Sequence, residues 1–142
     1  MKKSTKFIIA LLVTVGALAI TYRVVNQAPS KDLAADAQMQ EIITSGGCLQ
    51  CHSGSPDLPF YANWPVASGM VQKDVTQGYR AFDMTEMAEA LKAGKPVGKV
   101  ALAKVEKVIM DGTMPKHAYY MVHWGSSVTD AKKEMAMAWV KQ

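Results

Sequence analysis

The stretch Cys48-Leu49-Gln50-Cys51-His52 decides how the rest of this 142-residue chain is interpreted, because it contains the only two cysteines and a histidine directly after the second. Two thiols at this spacing, followed by a histidine, are the attachment signature of a c-type haem. Each thiol can add across one haem vinyl group to form a thioether, and the adjacent imidazole supplies the proximal iron ligand. The motif therefore predicts one covalent haem c, held through Cys48 and Cys51, with His52 on the iron.

Two other interpretations of the motif are weaker. A structural zinc site needs two further ligands, and only His117 and His123 remain, more than 60 positions beyond the motif and without paired spacing. A thioredoxin-like redox pair needs a βαβ context, and the chain has no stretch of sustained strand alternation. Covalent haem is the interpretation that the motif favours.

The positive charge is concentrated at the start of the chain. The formal net charge is +4, but from Asn26 onward 12 basic residues face 12 acidic ones. The high pI of about 9.1 therefore reflects the N-terminal segment. It is no indication of nucleic-acid binding, for which the body of the chain carries no basic run interleaved with aromatics.

Residues 1–25 are typical of an export segment. Three lysines, Lys2, Lys3 and Lys6, precede an apolar run over residues 7–22, in which residues 17–19 (Ala-Leu-Ala) could serve as a cleavage site. The apolar character continues past that site, and a snorkelling Arg23 makes a membrane span possible. We expect an uncleaved signal anchor, with a cleaved signal peptide as the alternative. In both cases the lysines stay in the cytoplasm and the remainder is exported.

A polar tether, residues 26–33, leads into the body of the chain, residues 34–142, for which the apolar spacing predicts an all-α fold. Asp83 with Glu86 resembles a capping box, and Thr129 is a plausible N-cap. Apolar side chains that include Val100 and Ala138 are expected to face the core. The predicted helices cover residues 34–45, 66–77, 83–94, 96–111 and 129–141, with a loop at 53–65 and a turn at 78–82.

Met114 is the residue we expect to be the sixth iron ligand. It follows the helix stop at Asp111-Gly112, and Pro115 biases it toward extended backbone and stiffens the loop. His123 is the main rival, although a histidine beside Trp124 is more often a packing or hydrogen-bonding residue. The other candidates are His117, Met110, Met121 or an open site.

These elements together resemble a small monohaem cytochrome c, and more closely the bacterial haem-binding domain, a family often associated with di-haem cytochrome c peroxidases. The resemblance covers about residues 35–140. Many family members carry a second proline after Met-Pro, where this chain has Lys116. Besides the cysteine motif, the likeness rests on Pro59-Phe60-Tyr61 with Trp64-Pro65, on Gly78-Tyr79-Arg80, and on Met114-Pro115 through Tyr119 to His123-Trp124.

The resemblance implies a small cytochrome c-like helical domain, wrapped around one covalent haem, that carries single electrons, and it does not establish a catalytic role. We therefore expect an electron carrier and not an enzyme. With His52 and Met114 on the iron, the thioether favours the reduced state and raises the potential. The alternative is an open or labile sixth site that serves peroxide reduction or small-gas binding.

The expected setting is the periplasmic side of the bacterial inner membrane, either anchored through residues 7–25 or free after cleavage. The expected partners are a membrane oxidoreductase or a periplasmic peroxidase, and no nucleic acid. Arg80 is a candidate to pair a haem propionate through its planar guanidinium. The competing interpretation is an arginine solvated at a helix end.

Overall fold

The computed structural model describes residues 3–142, and within that range the chain is all-helical, as predicted. Lys2, which belongs to the predicted cationic start, lies outside the described residues. Two short 3₁₀ turns, Cys48–Gln50 and Phe60–Asn63, interrupt the loops. The helices are α1 (Lys3–Val25), α2 (Ala35–Ser45), α3 (Ala67–Ala81), α4 (Thr85–Lys92), α5 (Lys99–Asp111), α6 (His117–Val122) and α7 (Asp130–Val140).

Helix α1 is a long apolar helix with almost no protein around it. The window Ser4–Val25 has a mean hydropathy of 2.2, and none of it is buried. Its 23 residues correspond to about 34 Å of helix, enough for a hydrocarbon core of roughly 30 Å. By length and composition α1 can cross a membrane, and an N-terminal signal sequence has the same properties.

The core lies where α2, α4, α5 and α7 meet. Helix α7 packs against both α2 and α5, and α4 packs on α2. The Trp139 indole is 5% exposed, and its Nε1 donates a hydrogen bond of 2.7 Å to Asp36 Oδ1 on α2. This bond satisfies the one polar atom of the ring. The buried cluster consists of Met39, Ile42, Ile43, Met84, Met87, Leu91, Val105, Ala136 and Trp139.

Three helix boundaries follow from the residues at the helix ends, as predicted. Gly47, just after α2, and Gly112, just after α5, have φ values of 65° and 61°, in the left-handed region where a side chain is unfavourable. Thr129 caps α7, because its hydroxyl accepts from the Lys132 amide.

Other boundaries differ from the prediction. Helix α3 continues through residues 78–81, where a turn was expected, and α5 begins at Lys99 and not at Pro96. The capping box is also wrong, since Met84 occupies the N-cap of α4. Asp83 lies one residue earlier and accepts from the Thr85 amide at 2.9 Å.

Two positions expected in the core are exposed, and one helix was missed. Val100, in the first turn of α5, is 72% exposed. Ala138 is exposed because the buried face of α7 runs through Lys132, Ala136 and Trp139, and Ala138 does not lie on that face.

Helix α6 was not predicted, since six residues are too few for an apolar period to show.

Candidate haem site

An open, mainly apolar cavity of about 500 Å³ lies beside the core. Its volume is within the range of roughly 300–1,000 Å³ that is usual for cofactor pockets. Cys48, Cys51 and His52 line it, and so does Met114, which reaches it from the loop between α5 and α6. The fold therefore gathers the four predicted haem contacts onto one cavity, although Met114 lies 62 residues beyond His52 along the chain. Iron ligation by His52 and Met114 itself stays a prediction.

The orientation of the His52 ring is set by the backbone. Its Nδ1 lies 2.8 Å from the Phe82 carbonyl oxygen, which can only accept, so Nδ1 carries the proton. The lone pair of Nε2 is then free to bind a metal, and a bond of this kind fixes the tautomer and the orientation of a ligating imidazole. The Met84 amide donates to the His52 carbonyl at 2.7 Å. These two bonds hold His52 against the segment that joins α3 to α4.

Two glycines allow the chain to pack closely around the motif. Gly78, buried in α3, lies against Cys51, and a Cβ there would be 2.6 Å from the Cys51 carbonyl oxygen. A Cβ on Gly47 would overlap the Tyr119 hydroxyl. That hydroxyl donates to Gln50 Oε1, inside the motif, at 2.7 Å. The site therefore requires glycine at both positions, and this requirement comes from tertiary contacts that the sequence alone does not indicate.

The surroundings of the thiols disfavour a redox pair, and the set of possible ligands disfavours a zinc site. Burial raises the pKa of Cys48 to about 11 and also raises the pKa of Cys51. A redox-active cysteine has a lowered pKa, because the thiolate is the reacting form. Among residues 3–142, no group of three or more histidine, cysteine or acidic side chains could hold a metal ion. The mainly apolar cavity fits a macrocycle better than a hydrated ion.

His123 does not line the cavity, and both of its ring nitrogens have protein partners. Nδ1 lies 3.0 Å from the Tyr119 carbonyl oxygen and donates to it, so Nε2 accepts from the Tyr61 hydroxyl. The ring also stacks on Tyr119 with centroids 4.0 Å apart. Burial raises the pKa of Tyr119 to about 12, so this phenol stays protonated. The geometry gives His123 a packing and hydrogen-bonding role, which is the more common role of a histidine beside a tryptophan.

The remaining candidates for the sixth ligand lie at the surface. Met110 and Met121 are 72% and 71% exposed, and His117 is exposed with its ring against Tyr120. None of the three lines the cavity. Met114 is half-buried and does.

Arg80 is exposed in the last turn of α3 and is not among the residues that line the cavity. This position agrees with the interpretation of a solvated arginine, and the propionate role stays a prediction. The cations that line the cavity are lysines, and no motif in the sequence indicates them. Lys104 donates to the Ala81 carbonyl oxygen at 2.9 Å and lies 4.9 Å from the centre of the Phe82 ring. Lys116 pairs with Asp74 at 2.7 Å.

Comparison with known proteins agrees with this site. Residues 7–142 match the family described as "Haem-binding domain". The chain is also similar to the cytochrome c peroxidase Ccp of Escherichia coli (strain K12), with 36% identity over 94 residues. The match covers 66% of this chain and 20% of the relative, so the chain spans about a fifth of that protein's length. No solved structure matches the chain. With a family match over nearly its whole length and a cavity built around Cys48–His52, this chain belongs to the haem-binding domain family.

Proposed function

We propose that this chain is a single-haem c-type cytochrome that carries one electron at a time and performs no bond chemistry of its own. The observation that carries the proposal is the meeting of Cys48, Cys51, His52 and Met114 on one apolar cavity. When bound, haem supplies an iron that changes oxidation state by one electron. The two cysteines would hold it as thioethers, and the His52 Nε2 and the Met114 sulfur would bind the iron.

The protein residues around the cavity support transfer without bond chemistry. The Phe82 carbonyl keeps His52 in the tautomer that a ligand needs. Apolar side chains such as Ile42, Ile43 and Val105 exclude water from the cavity wall. A thioether from Met114 would occupy the sixth coordination position and leave no place for peroxide. It would also stabilise the reduced iron more than a second imidazole does, and so raise the reduction potential.

The proposed setting is the outer face of a bacterial inner membrane, with α1 retained as an anchor. The cationic start of the chain would remain in the cytoplasm, and the haem domain would face the periplasm. The proposed partners are a membrane oxidoreductase or a periplasmic peroxidase. The second is supported by the similarity to a cytochrome c peroxidase. Contact would be transient and small, as is usual between electron-transfer proteins.

Visible spectroscopy of the purified holoprotein tests the proposal. Met–iron ligation gives ferric cytochromes a weak band at the red end of the spectrum, and we expect that band here. The substitution Met114→Ala should abolish it. Met110→Ala should leave it in place, because Met110 is exposed and absent from the cavity.

A high-spin ferric spectrum in the parent protein would contradict the electron carrier and favour the open or labile sixth site. An unchanged spectrum in Met114→Ala would show that another residue is the ligand. Covalent attachment has its own test, since acid–acetone removes haem from a non-covalent site and leaves thioether-linked haem on the chain.

A further inference from the structure

The end of helix α1 is held against the haem domain by hydrogen bonds, so the two are not joined by a free linker alone. Asn26, the first residue after α1, is 3% exposed. Its Nδ2 donates to the Tyr22 carbonyl in α1 and to the Trp124 carbonyl in the domain, and its Oδ1 accepts from the Ser127 amide at 2.9 Å. The Tyr22 hydroxyl adds a bond of 2.8 Å to Ser127 Oγ. The loop 124–127 therefore sits directly at the end of α1.

A set of exposed apolar side chains begins at this junction. Trp124 is 45% exposed, and Met121 and Val122 just before it are each 71% exposed. His123 bonds to Tyr61, whose ring packs at 5.5 Å from that of Phe60 and 6.4 Å from that of Trp64. Phe60 is 82% exposed and Trp64 is 55% exposed. We call Phe60, Trp64, Met121, Val122 and Trp124 the aromatic face.

The segments that build the aromatic face carry no charge. Residues 58–72 and 117–129 contain no lysine, arginine, aspartate or glutamate, so all 12 acidic and 12 basic residues after α1 lie elsewhere. A surface that meets only water has no reason to exclude charges over two separate segments that come together at Tyr61 and His123. A surface that enters a low-dielectric phase has such a reason, because the transfer of a charge into that phase costs free energy.

We propose that the aromatic face rests in the interfacial layer of the bilayer that α1 crosses, an inference that rests on the proposed retention of α1. Tryptophan and tyrosine favour that layer, since their rings are apolar and their N–H or O–H can stay hydrated. The aromatic face starts at the very residue that Asn26 ties to the helix end. A domain fixed in this way cannot carry that surface far from the headgroups.

A docked redox protein is the less favoured occupant of this face. Transient redox partners are steered by charge. The cavity, by contrast, does have charged residues in its lining, namely Lys104, Lys107, Lys116, Asp74 and Asp111. That cavity rim, and not the aromatic face, has the chemistry of a redox docking surface.

Photo-crosslinking of the full chain in lipid nanodiscs tests the inference. The photoreactive amino acid p-benzoylphenylalanine would replace Phe60 or Val122, whose exposure makes a folding defect avoidable. Val100, 72% exposed on α5, provides the matched control. We expect lipid adducts, detected by mass spectrometry after irradiation, at least five-fold more abundant at positions 60 and 122 than at position 100. An unchanged haem spectrum verifies that each variant is folded.

The intact mass of the membrane-purified protein separates the two ways of failing. A mature chain that lacks α1 overturns the anchor and this inference with it. A chain that retains α1 but gives no excess of lipid adducts at positions 60 and 122 overturns the inference alone. Crosslinks from these positions to a second copy or to another protein, in place of lipid, overturn it as well and identify the true occupant.

Discussion

At the residue scale, Gly47 shows how closely the motif is enclosed. It combines a left-handed φ of 65° with a position directly under the Tyr119 hydroxyl, which bonds to Gln50 and whose ring stacks on His123. A side chain here would meet two separate penalties, backbone strain and displacement of a held tyrosine. Gly112 has the first property alone, since its φ is 61° and no atom lies within 4 Å of a Cβ built on it.

We predict that Gly47→Ala lowers the free energy of unfolding by about 2–4 kcal/mol, while Gly112→Ala lowers it by about 1–2 kcal/mol, the strain of a left-handed non-glycine residue. Urea unfolding of the holoprotein, followed by circular dichroism, measures both. The difference between the two losses of unfolding free energy measures the cost of displacing Tyr119. Equal losses would mean that Tyr119 moves aside without cost.

Lys132 is a buried cation without an acidic partner. It is 1% exposed, and its Nζ donates to Ser45 Oγ at 3.3 Å and to the Ser127 carbonyl at 3.2 Å. None of the ion pairs found within residues 3–142 includes it. Burial lowers the pKa of Lys132 below 10.5, its ordinary value. Between the lowered pKa and 10.5 the unfolded chain binds more protons than the folded one, so this lysine makes stability rise with pH in that window.

We predict that Lys132→Met removes this part of the pH dependence and leaves stability near neutral pH equal or higher, because a buried charge is replaced by an apolar chain. Lys133→Met is the control, since Lys133 pairs with Asp130 at the surface. Unfolding free energies are measured from pH 7 to pH 10.5. Over this range the parent and the control should gain stability relative to Lys132→Met, whatever slope other groups such as Tyr119 contribute to all three proteins. A parallel course for all three proteins would rule out a titrating Lys132.

Residues with distinctive chemistry at short spacing could be predicted from the sequence, and contacts made by the backbone could not. The types and order of Cys48, Cys51 and His52 predict that they share one site, and all three line the cavity. The carbonyl that orients His52 is a backbone group of Phe82, and every residue has one. The residue type at this position therefore does not predict the contact. Lys104 was missed for a related reason, because it reaches the cavity only through the packing of α5.

At the scale of the element, α3 depends on one glycine for its approach to the motif. A Cβ on Gly78 would lie 2.6 Å from the Cys51 carbonyl oxygen and 3.0 Å from Cys51 Cβ, and backbone atoms cannot move aside as a flexible side chain can. Gly69, on the same helix, has nothing within 4 Å of the corresponding position. Substitution of these two glycines therefore distinguishes the effect of close packing from the effect of helix propensity.

We predict that Gly78→Ala costs about 1–3 kcal/mol, since overpacking forces α3 away from Cys51. It should also lower the fraction of purified chain that carries haem. Gly69→Ala should stabilise the protein by about 0.5–1 kcal/mol, because alanine is the better helix former. Thermal unfolding and the ratio of haem to protein absorbance measure the two effects. A Gly78→Ala protein with full haem content and an unchanged midpoint would contradict the close packing.

The same glycine explains why one element was mispredicted. Gly78 suggests a turn from its local propensity, and a turn was predicted at 78–82. Tertiary contact with Cys51 has priority over that propensity, and the helix runs on to Ala81. Boundaries set by a local signal, such as Gly47, Gly112 and the Thr129 cap, were predicted well because the signal and the structure lie in the same few residues.

At the scale of the whole molecule, the core and the cavity share a wall. Five members of the buried cluster also line the cavity, namely Met39, Ile42, Ile43, Met84 and Val105. Filling the cavity therefore completes the core. Without haem, these apolar side chains border an open cavity and face water, and apolar surface left in water forgoes about 25 cal/mol per Å² of stabilisation.

We predict that the chain does not keep this fold without haem. The double variant Cys48→Ala/Cys51→Ala, which cannot form thioethers, allows the same sequence to be studied with haem bound through His52 and after acid–acetone extraction. The loaded form should unfold cooperatively and show near-ultraviolet circular dichroism from Trp139, which is packed in the buried core beside the cavity wall. The extracted form should lose that signal and the cooperative transition while it retains helical far-ultraviolet dichroism, as loosely packed helical states do. A cooperative transition at the same midpoint in both forms would show that α2, α4, α5 and α7 suffice for the fold, and that the haem only occupies a cavity already built.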